Sequence, residues 1–254
     1  MYDPAFCQFT QMDPLCEQYP HLSPYAYCAG NPVNAIDPDG KLVIFINGFH
    51  NGFQGASPKY WGGFDTAVLS HFHDNNPKYI DGSLGGIFGL KNNLLVSNLN
   101  PHVRYIAGMS RGKNDAEAIF ASLKRDENGN ITENIKLVSH SMGGSYAKGY
   151  AKALVNYVKK KPKETSGVKI AEYDFAPFEP FFQFAVLGVD TYQYSHVLDP
   201  IARFFPVWGA NMMSTGFTLN IEHSIDSFTK YITTLPEGRY MFVNGEHIKI
   251  QENE

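Results

Sequence analysis

A serine stands in the middle of a short glycine-containing segment that directly follows an apolar stretch. The segment is residues 139–144 (SHSMGG), and the stretch before it is residues 135–138 (IKLV). A strand that breaks into a sharp turn carrying a serine, and then continues as a helix, presents that hydroxyl as a nucleophile. Ser141 is therefore the predicted nucleophile. Ser139 stands where the usual G-x-S-x-G pattern has its first glycine, which makes the turn slightly more crowded.

The segment after this turn supports the same interpretation. Small or apolar residues recur there at helical spacing, so one face of a helix over residues 144–160 can lie on a sheet. These residues are Ala147, Ala151, Leu154 and Val158. The alternative is an ordinary strand, turn and helix in which the serine only caps the helix, because serine is a favoured N-cap residue.

A serine hydroxyl needs a base, and the base needs a third group to orient it. When the serine comes first in the chain, the acid follows a later strand and the histidine comes last. Asp199 leaves the predicted strand 192–197, and His223 begins a helix-like run, so these are the predicted acid and base. His247 is the weaker base because it falls in a predicted hairpin, and Asp174 is the reserve acid. Alternatively, Asp199 is only a turn residue before a proline, and His223 only a polar residue at a helix N-terminus.

Acyl transfer also requires two donors for the oxyanion of the transition state. The first predicted donor is the backbone N–H of Met142, which follows the nucleophile. The second is the backbone N–H of Phe49, in the glycine-containing loop 47–52 after the first strand of the predicted sheet. A plain flexible loop is the alternative for this segment.

Two features bear on the substrate. Five phenylalanines lie close to the edge of the sheet where the site is expected: Phe175, Phe178, Phe181, Phe182 and Phe184. Of these, Phe178, Phe181 and Phe182 are the predicted substrate-binding residues, lining an acyl-chain pocket or cap. Simple core packing is the alternative, since aromatic side chains dominate cores. The long insert 48–101 is a candidate lid.

The pattern of apolar runs after residue 40 predicts an α/β fold with a mostly parallel sheet and helices on both faces. The predicted strands cover residues 42–46, 103–107, 135–138, 168–173 and 192–197, and further helices are expected at 64–70 and 115–124. Asn244-Gly245, between two short apolar runs, predicts a terminal hairpin.

Composition excludes several classes of function. With 254 residues and 43% apolar content, the chain can bury a full core. Its net charge of -4 disfavours a nucleic-acid partner. No apolar run reaches the roughly 20 residues that span a bilayer, and the first residues do not resemble a signal peptide. The pair His71 and His73 suits a helix C-terminus better than a metal site, so neither a metal nor another cofactor is predicted.

Residues 1–40 are rich in proline, tyrosine, aspartate and asparagine. Residues 13–15, 19–28 and 31–40 occur in the order seen at the end of an RHS-repeat-associated core, and this part of the chain resembles that family. The resemblance implies that residues 41–254 are a toxin or effector cargo, delivered or secreted by a bacterium and often paired with an immunity protein. Some members cleave themselves after Asp-Pro-x-Gly-Leu, a motif from which this chain departs at Lys41.

The order Ser141, Asp199, His223 gives the cargo a resemblance to the lipase branch of the α/β-hydrolase fold, including class 3 lipases. The segments that carry this resemblance are Asp199-Pro200-Ile201, and His223 followed by Ser224 and Phe228. The resemblance implies a serine hydrolase that cleaves carboxylic esters, lipids or phospholipids, with transient contact to a membrane surface. An amidase or peptidase with the same triad, and a non-catalytic binding module on a hydrolase scaffold, are the alternatives.

Overall fold

The computed structural model divides the chain into two compact units, residues 1–39 and 40–254. It describes residues 2–3, 8–9, 42–50, 55–72, 74, 76–83, 101–178, 183–196, 212–216, 224–234, 240–243 and 246–249. In the first unit, β1 (Tyr2–Asp3) pairs antiparallel with β2 (Gln8–Phe9). The site residues predicted from the sequence all belong to the second unit.

The second unit is built on a six-stranded sheet in which every neighbouring pair of strands is parallel. Its strands are β3 (Leu42–Asn47), β4 (Lys78–Asp81), β5 (Ile135–His140), β6 (Ile170–Phe175), β7 (Asp190–His196) and β8 (Met212–Gly216). The order across the sheet is β4-β3-β5-β6-β7-β8. Because all strands run the same way, their carboxyl ends meet at one edge, and ligand sites of open α/β sheets form there.

Helices cover both faces of this sheet, as predicted. On one face lie α2 (Pro101–Ser122) and α3 (Gly143–Lys160). On the other lie α1 (Phe64–Phe72) and a 3-10 helix, Ile225–Thr234. Side chains of a strand alternate between the two faces. Accordingly, Ile44 and Ile46 join the cluster beneath α3, whereas Val43 and Phe45 join the cluster beneath α1.

The helices α2 and α3 pack unusually closely. A methyl group built on Gly108 would lie 2.0 Å from the carbonyl oxygen of Tyr146, and one built on Gly149 would lie 1.9 Å from that of Tyr105. Glycine is therefore required at both positions, because only a residue without Cβ lets the two backbones approach so far. This contact fixes α3, which begins directly after Ser141 and Met142.

Most elements predicted from the sequence are present. The helix predicted at 64–70 is α1, and the terminal hairpin forms between β9 (Tyr240–Val243) and β10 (Glu246–Lys249), with Val243 opposite Glu246. The prediction of a strand over 103–107 is wrong, because these residues belong to α2. Buried positions of α2 recur at helical spacing, at Arg104, Gly108, Gly112, Ala116, Ile119 and Phe120, and this burial against α3 decides the conformation.

The insert 48–101, a candidate lid in the sequence, contains two elements of the fold. It contains α1, which packs in the core, and β4, which forms the edge of the sheet next to β3. Residues 84–100 of the insert lie outside the described part of the chain. The strands β4 and β8 were not among the elements predicted from the sequence.

Candidate active site

Ser141 occupies a strained turn between β5 and α3. Its φ is +56°, a left-handed conformation that non-glycine residues adopt rarely and at a cost of roughly 1–3 kcal/mol. The turn is stabilised by its neighbours: the Ser141 N–H donates to the Phe175 carbonyl oxygen at 3.0 Å. The Ser141 carbonyl oxygen accepts from the N–H groups of Gly144 at 3.2 Å and Phe178 at 3.0 Å. The sequence SHSMGG thus folds as the strand, sharp turn and helix that a nucleophile elbow needs.

The loop after β3 packs directly against this turn. A methyl group built on Gly48 would lie 2.7 Å from Ser141 Cβ and 3.1 Å from the Met142 nitrogen. On the other side of the turn, a methyl group on Gly143 would lie 2.4 Å from the Ile46 carbonyl oxygen. The segments that carry the two predicted oxyanion donors, Met142 and Phe49, are therefore in contact. The loop residue Phe49 is half-buried and Met142 is buried.

A tyrosine links the loop to the strand that precedes Ser141. The Gly48 N–H donates to the Tyr60 hydroxyl oxygen at 3.1 Å, and that oxygen lies 2.5 Å from Nδ1 of His140. Burial raises the pKa of Tyr60, so its hydroxyl stays protonated. A protonated hydroxyl donates one hydrogen bond while it accepts another, and Tyr60 therefore connects loop and elbow without carrying charge.

An aspartate at the end of β4 accepts hydrogen bonds from this loop and from Ser83, two residues further along the chain. Asp81 Oδ1 accepts from Asn47 Nδ2 at 3.2 Å, from the Ser83 N–H at 3.0 Å and from the Ser83 hydroxyl at 2.6 Å. Asp81 Oδ2 lies 3.0 Å from His50 Nε2. Because an ionised carboxylate only accepts, Nε2 is the donor in this pair. Asp81 and His50 are not among the site residues predicted from the sequence, because the polar segment 78–81 gives no clear signal for a strand of the sheet.

A second charged cluster is buried beneath the elbow. Lys148 of α3 lies between the carboxylates of Glu172 and Asp174, and its Nζ is 3.2 Å from Oε1 of Glu172. All three side chains are almost completely buried. The Ser139 hydroxyl donates to Asp174 Oδ1 at 2.5 Å. Thus Ser139, which replaces the first glycine of the usual motif, anchors the cluster to β5. Both oxygens of Asp174, the reserve acid, are engaged by Ser139 and Lys148.

One lysine cannot balance two ionised carboxylates, and the pKa values reflect this. Burial is the main reason why the pKa of Glu172 is raised from 4.5 to about 8. The charge of Asp174 raises this pKa further, and Lys148 opposes the shift. Burial by itself lowers the pKa of Lys148, but Asp174 and Glu172 more than offset this effect and raise it. Burial in this cluster therefore favours the protonated form of the Glu172 carboxyl, beside the contact between Lys148 and Asp174.

The predicted phenylalanines separate into different environments. Phe178 lies at the elbow, where its N–H contacts Ser141 and its ring is 5.6 Å from the guanidinium carbon of Arg104. Phe175 is fully buried and packs on Phe64 and Tyr194, so its ring belongs to the core. The side chain of Phe184 is 68% exposed.

The remaining predicted site residues, Asp199, His223, Phe181 and Phe182, lie outside the described residues. His247 belongs to β10 of the terminal hairpin. Across the described ranges, no group of three or more His, Cys, Asp or Glu residues is arranged to hold a metal ion. None of the helices within the described segments is both long and apolar enough to cross a membrane.

Comparisons with known proteins give little further information. No family model matches the chain. A stretch of 46 residues, 18% of the chain, is 50% identical to Salivary gland surface protein 1 of Aedes aegypti. This stretch spans only 1% of that protein's length, so the match assigns neither a family nor an activity to the chain.

Proposed function

We propose that residues 41–254 form a serine hydrolase that cleaves carboxylic esters, with lipids or phospholipids as substrates. The observation that carries this proposal is the conformation of Ser141, with φ of +56° at the junction of β5 and α3. Strained non-glycine residues cluster at functional sites, because a structure maintains such strain only where it is over-determined. The segments of both predicted oxyanion donors meet at this residue.

In the proposed mechanism, His223 takes the proton of the Ser141 hydroxyl as the oxygen attacks the ester carbonyl carbon. Asp199 orients the imidazole and stabilises the imidazolium. The backbone N–H groups of Met142 and Phe49 donate to the developing oxyanion. His223 then protonates the leaving alcohol, and water activated by His223 hydrolyses the acyl-enzyme and regenerates Ser141.

We further propose that this hydrolase is the cargo of an RHS-type shell and acts as a bacterial effector or toxin. The support is the resemblance of residues 1–40 to the end of an RHS-repeat-associated core, together with the division of the chain into units 1–39 and 40–254. A cognate immunity protein and transient contact with a membrane surface belong to this proposal.

The decisive experiment replaces Ser141, the proposed nucleophile, and uses the same substitution at another buried serine as the control. Ser141→Ala should lower ester turnover on the order of 10⁶-fold, which is the typical loss when a triad loses its nucleophile. Ser145→Ala is the control: this buried serine stands in the first turn of α3, and its hydroxyl donates to the Pro101 carbonyl oxygen at 2.5 Å. It should remain active within a few-fold.

A fluorophosphonate probe, with mass spectrometry of the labelled peptide, gives an independent readout. Wild type and Ser145→Ala should be labelled at Ser141, and Ser141→Ala should not. If Ser141→Ala stays within tenfold of wild type, the nucleophile assignment is wrong. If wild type neither reacts with the probe nor cleaves any ester, peptide or amide of a broad panel, the protein is a binding module on a hydrolase scaffold.

A further inference from the structure

The strongest unassigned feature at the site is the cluster around Asp81, at the edge of the sheet next to β3. Its carboxylate accepts from Asn47, from Ser83 and from His50, so it is a single acceptor group for donors of two different segments. Hydrogen bonds to a charged group are roughly twice as strong as neutral ones. The carboxylate is also largely buried, with only 16% of its side chain exposed.

Two of these donors belong to residues of the predicted oxyanion loop that lie on either side of Gly48 and Phe49. Asn47 precedes Gly48 and Phe49, and His50 follows them. Asn47 is fixed further, because its Nδ2 donates to the Gly48 carbonyl oxygen at 2.8 Å and its Oδ1 accepts from the Ala56 N–H at 2.9 Å. The short segment that carries the Phe49 N–H is thus held at both ends by one carboxylate.

Close packing allows little freedom in this arrangement. A methyl group built on Gly55 would lie 2.3 Å from His50 Nε2 and 2.4 Å from Asp81 Oδ2, so the chain closes directly over the pair. A methyl group on Gly82, the residue after Asp81, would lie 2.5 Å from the Asn47 carbonyl oxygen and 2.9 Å from Gly143 Cα. The cluster is therefore built against the first residue of α3, beside the elbow.

We infer that Asp81 is a positioning residue for the oxyanion hole: through Asn47 and His50 it holds the Phe49 N–H in the orientation that the transition state requires. This inference rests on the proposed hydrolase function. Donors that are already oriented stabilise a developing oxyanion without reorganisation during the reaction. A displacement of about 1 Å in such a group can cost on the order of 10²-fold in rate.

The test compares Asp81→Ala with Asp74→Ala in the full chain. Asp74 is the matched control, because it is also a buried aspartate that fixes β3, but at the opposite end of the strand. Its Oδ2 accepts from the Val43 N–H at 2.6 Å and its Oδ1 from the Asn76 N–H at 2.8 Å. Both substitutions should destabilise the fold, and only Asp81→Ala should impair the oxyanion hole.

His50→Phe is a second variant with a smaller structural effect, for use if Asp81→Ala does not fold. His50 Nδ1 is buried without a hydrogen-bond partner among the described residues, so this change removes only the bond from Nε2 to Asp81. His50→Gln restores a side-chain donor and should recover part of the lost rate. Active sites are counted with the fluorophosphonate probe, so that rates refer to folded enzyme only.

The readout is the kcat and KM of a p-nitrophenyl ester and of the corresponding thionoester. A thiocarbonyl sulfur is a weaker hydrogen-bond acceptor than a carbonyl oxygen, so it gains less from the N–H donors of an oxyanion hole. Asp81→Ala and His50→Phe should lower the ester kcat about 10- to 100-fold with KM within about threefold, and should lower the ratio of ester to thionoester rates about tenfold. Asp74→Ala should leave this ratio unchanged.

Active variants that keep the wild-type kcat and the wild-type rate ratio would overturn the inference about Asp81, while the hydrolase function would stand. Equal changes of the ratio in Asp81→Ala and Asp74→Ala would also overturn it, since the effect would then be general destabilisation. A wild-type protein without hydrolysis and without labelling would refute the hydrolase function itself, and the role of Asp81 with it.

Discussion

At the scale of single residues, the structure describes the turn that carries Ser141, the predicted nucleophile, whereas the predicted acid and base, Asp199 and His223, lie outside the described residues. We expect His223→Ala to be as damaging as Ser141→Ala, on the order of 10⁶-fold in kcat, because nucleophile and base act as a unit. Asp199→Asn should cost less, since the acid orients the base and does not react. Steady-state kinetics of the three variants on one ester substrate, with circular dichroism to confirm folding, measures this order.

The reserve acid provides the control for this prediction. The oxygens of Asp174 are engaged by Ser139 and Lys148, so Asp174→Asn should lower the free energy of unfolding and leave the kcat of the folded protein near the wild-type value. Removing one partner of a buried ion pair commonly costs about 3–5 kcal/mol. If Asp174→Asn is folded but inactive while Asp199→Asn is normal, the acid has been assigned to the wrong residue.

The raised pKa of Glu172 predicts a specific dependence of stability on pH. Between pH 4.5 and about 8 the folded protein keeps a proton on Glu172 that the unfolded chain releases. The stabilisation is therefore complete below pH 4.5 and is lost as the pH rises to about 8, at up to roughly 1.4 kcal/mol per pH unit.

Glu172→Gln mimics the protonated carboxyl at every pH and should remove this contribution. Relative to wild type, the variant should gain stability steadily from pH 5 to pH 8, as measured by urea unfolding at several pH values. Parallel stability profiles for the two proteins across that range would show that Glu172 is ionised in the folded state.

At the scale of secondary-structure elements, the contact between α2 and α3 positions the helix that follows Ser141. Replacing glycine by alanine inside a helix normally stabilises it by about 1 kcal/mol. Gly149→Ala should do the opposite, because its methyl group would collide with the Tyr105 carbonyl oxygen and separate the helices. Overpacking of this kind typically costs about 1–3 kcal/mol.

Urea unfolding measures the effect, and Ser110→Ala in α2 is the control, because this residue is exposed and alanine favours a helix there. We expect Gly149→Ala to be destabilised and Ser110→Ala to be unchanged or slightly more stable. A stabilised Gly149→Ala would mean that the two helices are further apart than described.

Sequence reasoning succeeded where burial on both sides produced a continuous apolar run. The runs at 42–46 and 135–138 match β3 and β5, and the predicted strands 168–173 and 192–197 overlap β6 and β7. It failed at 103–107, because a short apolar run does not distinguish a strand from one turn of a buried helix. The glycines that let α2 approach α3 favour the helix over the strand, but they do so only through the tertiary contact between the two helices.

The edge strand β4 shows why part of the candidate site was not predictable. Its sequence KYID has little apolar pattern, and the strand is recognised only through its parallel pairing with β3, which places Asp81 opposite Asn47. Once that register is known, the carboxylate lies at the carboxyl edge of the sheet, where functional residues of such folds concentrate. Ser141 was predictable because its local sequence alone specifies the turn.

At the scale of the whole molecule, the proposed hydrolase function raises the question of acyl-chain length. The described residues place one predicted phenylalanine, Phe178, at the elbow through its hydrogen bond to the Ser141 carbonyl oxygen, whereas Phe184 is largely exposed. If Phe178 contributes to an acyl pocket, the enzyme should prefer chains longer than acetyl. Each buried methylene is worth about 0.8 kcal/mol, or roughly a fourfold increase in kcat/KM.

We therefore predict that kcat/KM for p-nitrophenyl esters rises from acetate to octanoate by more than tenfold, and that phospholipid vesicles release fatty acid. Phe178→Ala should flatten this rise, while Phe184→Ala, the matched control, should keep it. This result would place the acyl pocket at Phe178, beside Ser141, and not at the exposed Phe184. A steady decline from acetate to octanoate, together with no fatty acid from vesicles, would identify a hydrolase of small esters or amides, in which the aromatic side chains near the elbow serve only packing.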